Sequence, residues 1–211
     1  MSTFDIFRRH VETRPDAVAV VTPYRVATYR KMWSRIERST ARLQGEWMVS
    51  PGATIAYLGC GHLDALVMYL AAARCGVRVL PLEHANLQQQ AGALLAREAV
   101  TLVLHDDTLT VDAGLLGVPC RALSTLIATV CRHRASVVED CAAVSLLEFD
   151  DDHLALALRA RSLDALEATA LTCPAGHFVV RGALFDQAIF APVVMAALLV
   201  GATLALHPPE A

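Results

Sequence analysis

Apolar and polar positions alternate along this chain with two distinct periods. Phe4, Phe7 and Val11 recur at helical spacing and predict a short amphipathic helix over Phe4–Val11, broken by Arg14-Pro15-Asp16. Strands are predicted over Ala17–Val21 and Val26–Tyr29, with a turn at Thr22-Pro23 between them. A helix starting at Thr28 or Tyr29 and ending at Leu43 places Met32, Trp33, Ile36, Thr40 and Leu43 on one face. Its other face carries Arg30, Lys31, Arg35, Glu37, Arg38 and Arg42 and reads as solvated, with a basic interaction surface as the alternative. Pro51-Gly52 is a turn, Thr54–Leu58 a buried strand, and Gly59-Cys60-Gly61 its end. A helix from His62 or Asp64 to Ala73 is apolar nearly all round, and Gly76 stops it. The strand Val77–Leu80, a helix from Asn86 to Arg97, and the strand Thr101–Leu104 follow. Alternating strands and helices are the signature of crossovers in a parallel sheet.

The signal weakens from Asp106 to Cys141, where Leu123–Cys131 is read as a helix. Beyond it lie a strand over Ala142–Leu147, a charged loop Asp150-Asp151-Asp152-His153, a strand over Leu154–Leu158, a helix from Ser162 to Ala170, and a strand over Phe178–Gly182. The run Ala188–Leu206 has Thr203 as its one polar member and is long enough to span a bilayer. Pro192 and Gly201 divide it instead into a helix, a glycine stop and a strand over Ala202–Leu206, and no Lys/Arg cluster flanks it. The expectation is therefore a mostly parallel α/β chain, residues 1–211 forming one domain without a membrane span.

Composition narrows the function. With 211 residues, 55% hydrophobic and 18% charged, the chain can bury a sizeable core and is not a disordered tail. A net charge of −3 gives no electrostatic footprint for nucleic acid. Lys31 is the single lysine, so any lysine chemistry rests on it or is absent. The six cysteines include no C-x-x-C pair, and Asp5, Arg8 and Arg9 interrupt what would be a signal-peptide core. The expectation is a reducing, cytoplasmic location with free thiols.

Four segments carry a family resemblance. Pro15–Gly59 resembles the opening of adenylate-forming enzymes, the AMP-binding superfamily of acyl-CoA synthetases and peptide-synthetase adenylation domains. Tyr69–Glu83 is similar to their Leu-x-x-x-Lys-Ala-Gly motif and following Pro-Leu strand, with Arg74 and Cys75 in place of Lys and Ala. Pro174–Asp186 lies on the Pro-Gly-Asp-x-x-apolar-x-x-Pro-Leu-Phe-His segment, with Asp186 in place of His. Leu199–Thr203 matches the Leu-x-Gly-Ala-Thr strand start. The resemblance implies a partial N-terminal subdomain of an acyl-CoA synthetase-like fold.

It also implies chemistry for which this sequence lacks the groups. The family stabilises phosphoryl charge with a Ser-Gly-Thr-Thr-Gly-x-Pro-Lys loop after a strand, whose glycines let backbone amides close on phosphate. After the strand Leu154–Leu158, Arg159-Ala160-Arg161-Ser162-Leu163-Asp164 has no Gly, Thr or Lys. The family's second sheet, its Tyr-Gly-x-Thr-Glu motif and its C-terminal lid with a catalytic lysine are expected to be missing as well. Lys31, early in a structural helix, is no substitute.

Phe185 and Asp186 are the first ligand-binding candidates, since the family's aromatic and His there border the acyl pocket. An acid at Asp186 would repel a substrate carboxylate, and it serves equally as a helix cap. Arg159 and Arg161 are the second, as a phosphate-binding pair, or else as arginines solvated beside Asp150–Asp152. Asp151, Asp152, His153 and the Cys131-x-His133 pair fall short of the three or more converging ligands that a metal needs. His177 reads as a turn residue, and Gly59-Cys60-Gly61 alone is a weak nucleotide signal. No catalytic residue, cofactor or metal is assigned. With at most one of the family's two large sheets, the helices Leu63–Ala73 and Ile189–Val200 are expected to leave apolar faces open. These would drive self-association or docking onto a larger partner protein. The leading expectation is a non-catalytic interaction or scaffold module. The alternatives are a subunit of a split ligase completed by a partner chain, and a small acyl or nucleotide binder at the strand ends.

Overall fold

The computed structural model describes residues 3–82, 91–112, 116–131, 133, 143–149, 156–172, 178–181, 184–186 and 189–207. Helix α1 (Thr3–Thr13) buries Phe4 and Phe7. Strand β1 (Val18–Val21) turns back into β2 (Val26–Thr28) through Thr22, whose hydroxyl accepts from the Arg25 amide at 2.9 Å. Thr28 then caps α2 (Tyr29–Ala41), accepting from the Lys31 amide, and α2 ends in a wider π-helical turn over Arg42–Glu46. A strand, a helix and another strand follow as β3 (Thr54–Leu58), α3 (Leu63–Arg74) and β4 (Arg78–Leu82). Next come α4 (Ala91–Arg97), β5 (Val100–His105), β6 (Cys120–Ala122) and α5 (Leu123–Ile127). The hairpin β7 (Ala143–Phe149) and β8 (Leu156–Ser162) leads into α6 (Leu163–Leu171) and β9 (Phe178–Arg181). A π-helical segment over Phe190–Met195 continues as α7 (Ala196–Val200), and β10 (Leu204–His207) closes the described chain.

Two four-stranded sheets result. The first has order β2-β1-β10-β9, with β10 parallel to both β1 and β9 and only β2 antiparallel; the second, β4-β3-β5-β6, is wholly parallel. Pro81 sits in β4, an edge strand, where a missing amide proton is tolerated. One continuous core joins Val20, Phe178 and Leu204 of the first sheet to Ile55, Tyr57 and Leu104 of the second, through α1, α2, α3, α5 and α7. A smaller core on the far face of the second sheet packs Ala56, Leu80 and Val103 against Leu94 and Leu95 of α4. The order of layers is sheet, helices, sheet, helix.

This arrangement overturns two expectations. The chain carries two four-stranded sheets rather than one at most, because β1 near its start pairs with β10 near its end (Val20 opposite Leu204), a contact that local periodicity cannot reveal. The apolar helices are covered rather than open. In α3 every residue except Asp64 is buried, and Phe190, Val194, Met195, Leu198 and Leu199 are buried too. Boundaries also move. Residues 159–162 belong to β8, which runs straight into α6, so no loop occupies them. The helix read to Cys131 ends at Ile127, and β6 is a strand that the sequence did not signal. Asn86, His153, His177 and Cys141 lie outside the described residues. No helix among the described residues is long and apolar enough to cross a membrane.

Candidate functional site

In the second sheet the chain runs from β3 to one neighbour, β4, and then returns to the other, β5. The carboxyl ends of β3 and β5 therefore flank a topological switch point, the place where open α/β sheets leave a crevice. Asp106, the residue after β5, is 8% exposed there. Its Oδ1 accepts from the Tyr57 hydroxyl at 2.6 Å and from His62 Nε2 at 2.8 Å, and its Oδ2 accepts from the Cys60 amide at 2.8 Å. His62 Nδ1 accepts from the Asp64 amide at 3.2 Å, so Nε2 carries the ring proton given to Asp106. Both imidazole nitrogens are thus engaged, one as the cap of α3 and one as a donor. Burial by itself would raise the Asp106 pKa. The hydrogen bonds from His62, Tyr57 and the Cys60 amide outweigh it and hold the carboxyl below its ordinary value. The group is an ionised carboxylate clamped by three donors, and it ties the Gly59–His62 bend to β5. Beside it Cys60 is exposed.

The sequence-derived candidates fall in two places. Phe185 is fully buried beside this cluster, stacked on Tyr69 with ring centroids 4.1 Å apart and edge-on to Tyr57 at 6.2 Å. Asp186 is half-buried, and its carbonyl accepts from the Ile189 and Phe190 amides, starting the π-helical segment. Arg159 and Arg161 lie in β8, opposite Leu146 and Val144 of β7. Asp106 escaped sequence reasoning because it stands where the apolar periodicity stops. A polar residue directly after a buried parallel strand was the signal that marked it. Among the described residues no group of three or more His, Cys, Asp or Glu side chains could hold a metal ion.

Residues 7–165 match the family model described as AMP-binding enzyme. The chain belongs to this family. The D-alanine–D-alanyl carrier protein ligase of Bacillus licheniformis is 26% identical over 116 residues, which cover 54% of this chain and 22% of that protein. Two solved structures share the fold. One is the Klebsiella oxytoca NpsA N-terminal subdomain in complex with 3-hydroxybenzoyl-AMSN, with a TM-score of 0.78 and 20% identity over 100% of this chain and 54% of that one. The other is Bacillus subtilis O-succinylbenzoate coenzyme A synthetase (MenE) in complex with AMP, with a TM-score of 0.79 and 12% identity over 98% of this chain and 56% of that one. The chain thus spans about a fifth of the curated relative and about half of the solved structures. It is a partial N-terminal subdomain of the AMP-binding architecture, with the α/β layering and parallel sheet that the resemblance implied.

The hairpin bears on the family's phosphate loop. The segment after β8 has no room for a loop, since Ser162 ends the strand and Leu163 begins α6. The β7–β8 connection, residues 150–155, reads Asp-Asp-Asp-His-Leu-Ala. Neither stretch contains the glycines and lysine of the family motif.

Proposed function

We propose that this AMP-binding family member acts by binding a protein partner and forms no acyl-adenylate on its own. The observation that carries the reading is the hairpin sequence: where the family cradles phosphate, this chain has acids and arginines but neither Gly nor Lys. The outer face of the first sheet supplies the surface. Val26, Val21, Ala205 and Val179 stand opposite one another across all four strands. Val26 is 55% and Val179 40% exposed, whereas Val20, Leu204 and Phe178 of the adjacent row are buried in the core. Sheets with parallel strands usually have both faces covered, so an aliphatic row of this kind favours association.

Carboxylate-dependent ATP–pyrophosphate exchange by the purified chain is expected to stay at background over a panel of acids; exchange above background overturns the reading. The Val26→Lys/Val179→Lys double variant is expected to abolish self-association or partner capture while leaving the fold intact. A second reading, a ligase split over two chains, uses the same face and is favoured by its breadth across four strands. It predicts that exchange appears when a partner chain carrying a phosphate loop is added. Phe185, Asp186, Arg159 and Arg161 remain proposed ligand contacts of such an assembly, to be tested in it by substitution.

A further inference from the structure

At the amino ends of the second sheet's strands, about 15 Å from Asp106 along β5 by strand rise, the segment leaving α2 and the starts of β5 and β6 border a cleft of about 380 Å³. That volume is in the range of small-molecule sites, roughly 300–1,000 Å³. Val49, Leu102 and Pro119 line it with apolar surface, and Trp47 and Arg121 stand together on its wall. The Arg121 guanidinium lies 5.0 Å from the Trp47 ring centroid. It makes no hydrogen bond or ion pair among the described residues. A guanidinium held over an aromatic ring by its charge still has N–H donors to spend, and these can take a carboxylate through two parallel hydrogen bonds. Met48 forms the lip at φ 51° and is 79% exposed. A bulky residue in left-handed backbone costs on the order of 1–3 kcal/mol, and such strain concentrates at ligand clamps.

We propose that this cleft binds a small organic monocarboxylate with a compact apolar body. The carboxylate would sit on the Arg121 fork and the body against Val49, Leu102 and Pro119. Among the described lining residues Arg121 is the one cation, which matches a single negative charge rather than a phosphate dianion. The site is independent of the proposed function, because it lies at the amino ends of the second sheet's strands and not on the outer face of the first.

The test follows the indole N–H signal of Trp47 by NMR as cyclohexanecarboxylate is added. Trp33, the other tryptophan and 7% exposed, is the internal reference. A saturable shift of Trp47 alone is expected, with a Kd of about 1 mM or below. Cyclohexanecarboxamide should bind at least about tenfold more weakly, as should Arg121→Gln. Ser50→Asp, an exposed position on the cleft, should have the same effect by repulsion without disturbing the fold. No saturable shift, equal binding of the amide, or unchanged affinity in both variants overturns the proposal.

Discussion

Gly59 and Asp106 occupy the same corner of the molecule, and a Cβ on Gly59 would overlap the Asp106 carboxylate. The glycine serves here by having no side chain. Its bare backbone lets the carboxylate reach the Cys60 amide, Tyr57 and His62 together. Gly59→Ala is therefore expected to push Asp106 off its donors and cost about 2–4 kcal/mol in urea denaturation, the scale for breaking a buried network. A midpoint within experimental error of wild type would refute it.

The same carboxylate sets a pH dependence. Its folded pKa lies below its unfolded one, so its contribution to stability is fully present above the unfolded value, about 3.9. It is lost as pH falls through the folded value. Asp106→Asn is expected to lower stability at neutral pH and to flatten the loss of stability below about pH 4. Thermal melts of both proteins between pH 3 and neutrality check it, and parallel curves would contradict the assignment.

Arg42 is 4% exposed and donates to the carbonyls of Leu126 at 2.6 Å, Ala128 at 3.0 Å and Val130, while its Nε donates to Glu46 at 2.9 Å. It holds the chain leaving α5 against the end of α2. Arg42→Met should leave these carbonyls without their donor and cost about 3 kcal/mol. Hydrogen exchange would report faster opening at Leu126–Val130, and unchanged protection there would count against the clamp.

Gly201 adopts φ 71° at the end of α7, where a Cβ would meet His10 and the Arg14 guanidinium. Those side chains cap the helix: His10 Nε2 donates to the Leu199 carbonyl at 2.8 Å and Arg14 to the Val200 carbonyl at 3.1 Å. Gly201→Ala combines left-handed strain with displacement of both caps, and a loss of about 2–4 kcal/mol is expected by calorimetry. An unchanged or raised melting temperature would show that α1 is not anchored there.

Cysteine reactivity separates two thiols. Cys75 is buried, and its pKa is pushed up to about 12, mainly by burial, against the smaller opposing influences of Arg74 and Thr40. Cys60 is exposed. Iodoacetamide at neutral pH should alkylate Cys60 in the folded protein and Cys75 only after unfolding. Mass spectrometry that found Cys75 modified first would be incompatible with this packing.

Local signals carried much of the architecture. Thr54–Leu58 is nearly continuously apolar and forms β3 over the predicted span; Thr28 caps α2; Gly201 stops α7. Each of these is decided within a few residues, by side-chain period or by one backbone angle. The Asp106 network was not legible, because its donors come from residues 57–62 and become neighbours only when β3 and β5 pair. The β7–β8 pairing likewise carries the strand read as ending at Leu158 on through Arg159-Ala160-Arg161.

The sequence by itself determined the family, the alternation of strands and helices, and the want of glycine and lysine where phosphate would be gripped. These are matters of residue identity and short-range order. Only the tertiary structure decided that β1 joins β10 to build a second sheet, that the apolar helices are enclosed, and that the exposed aliphatic row lies on a sheet face. Burial of a surface depends on what distant segments pack against it, and that information is shared between the two ends of the chain rather than held in any window along it.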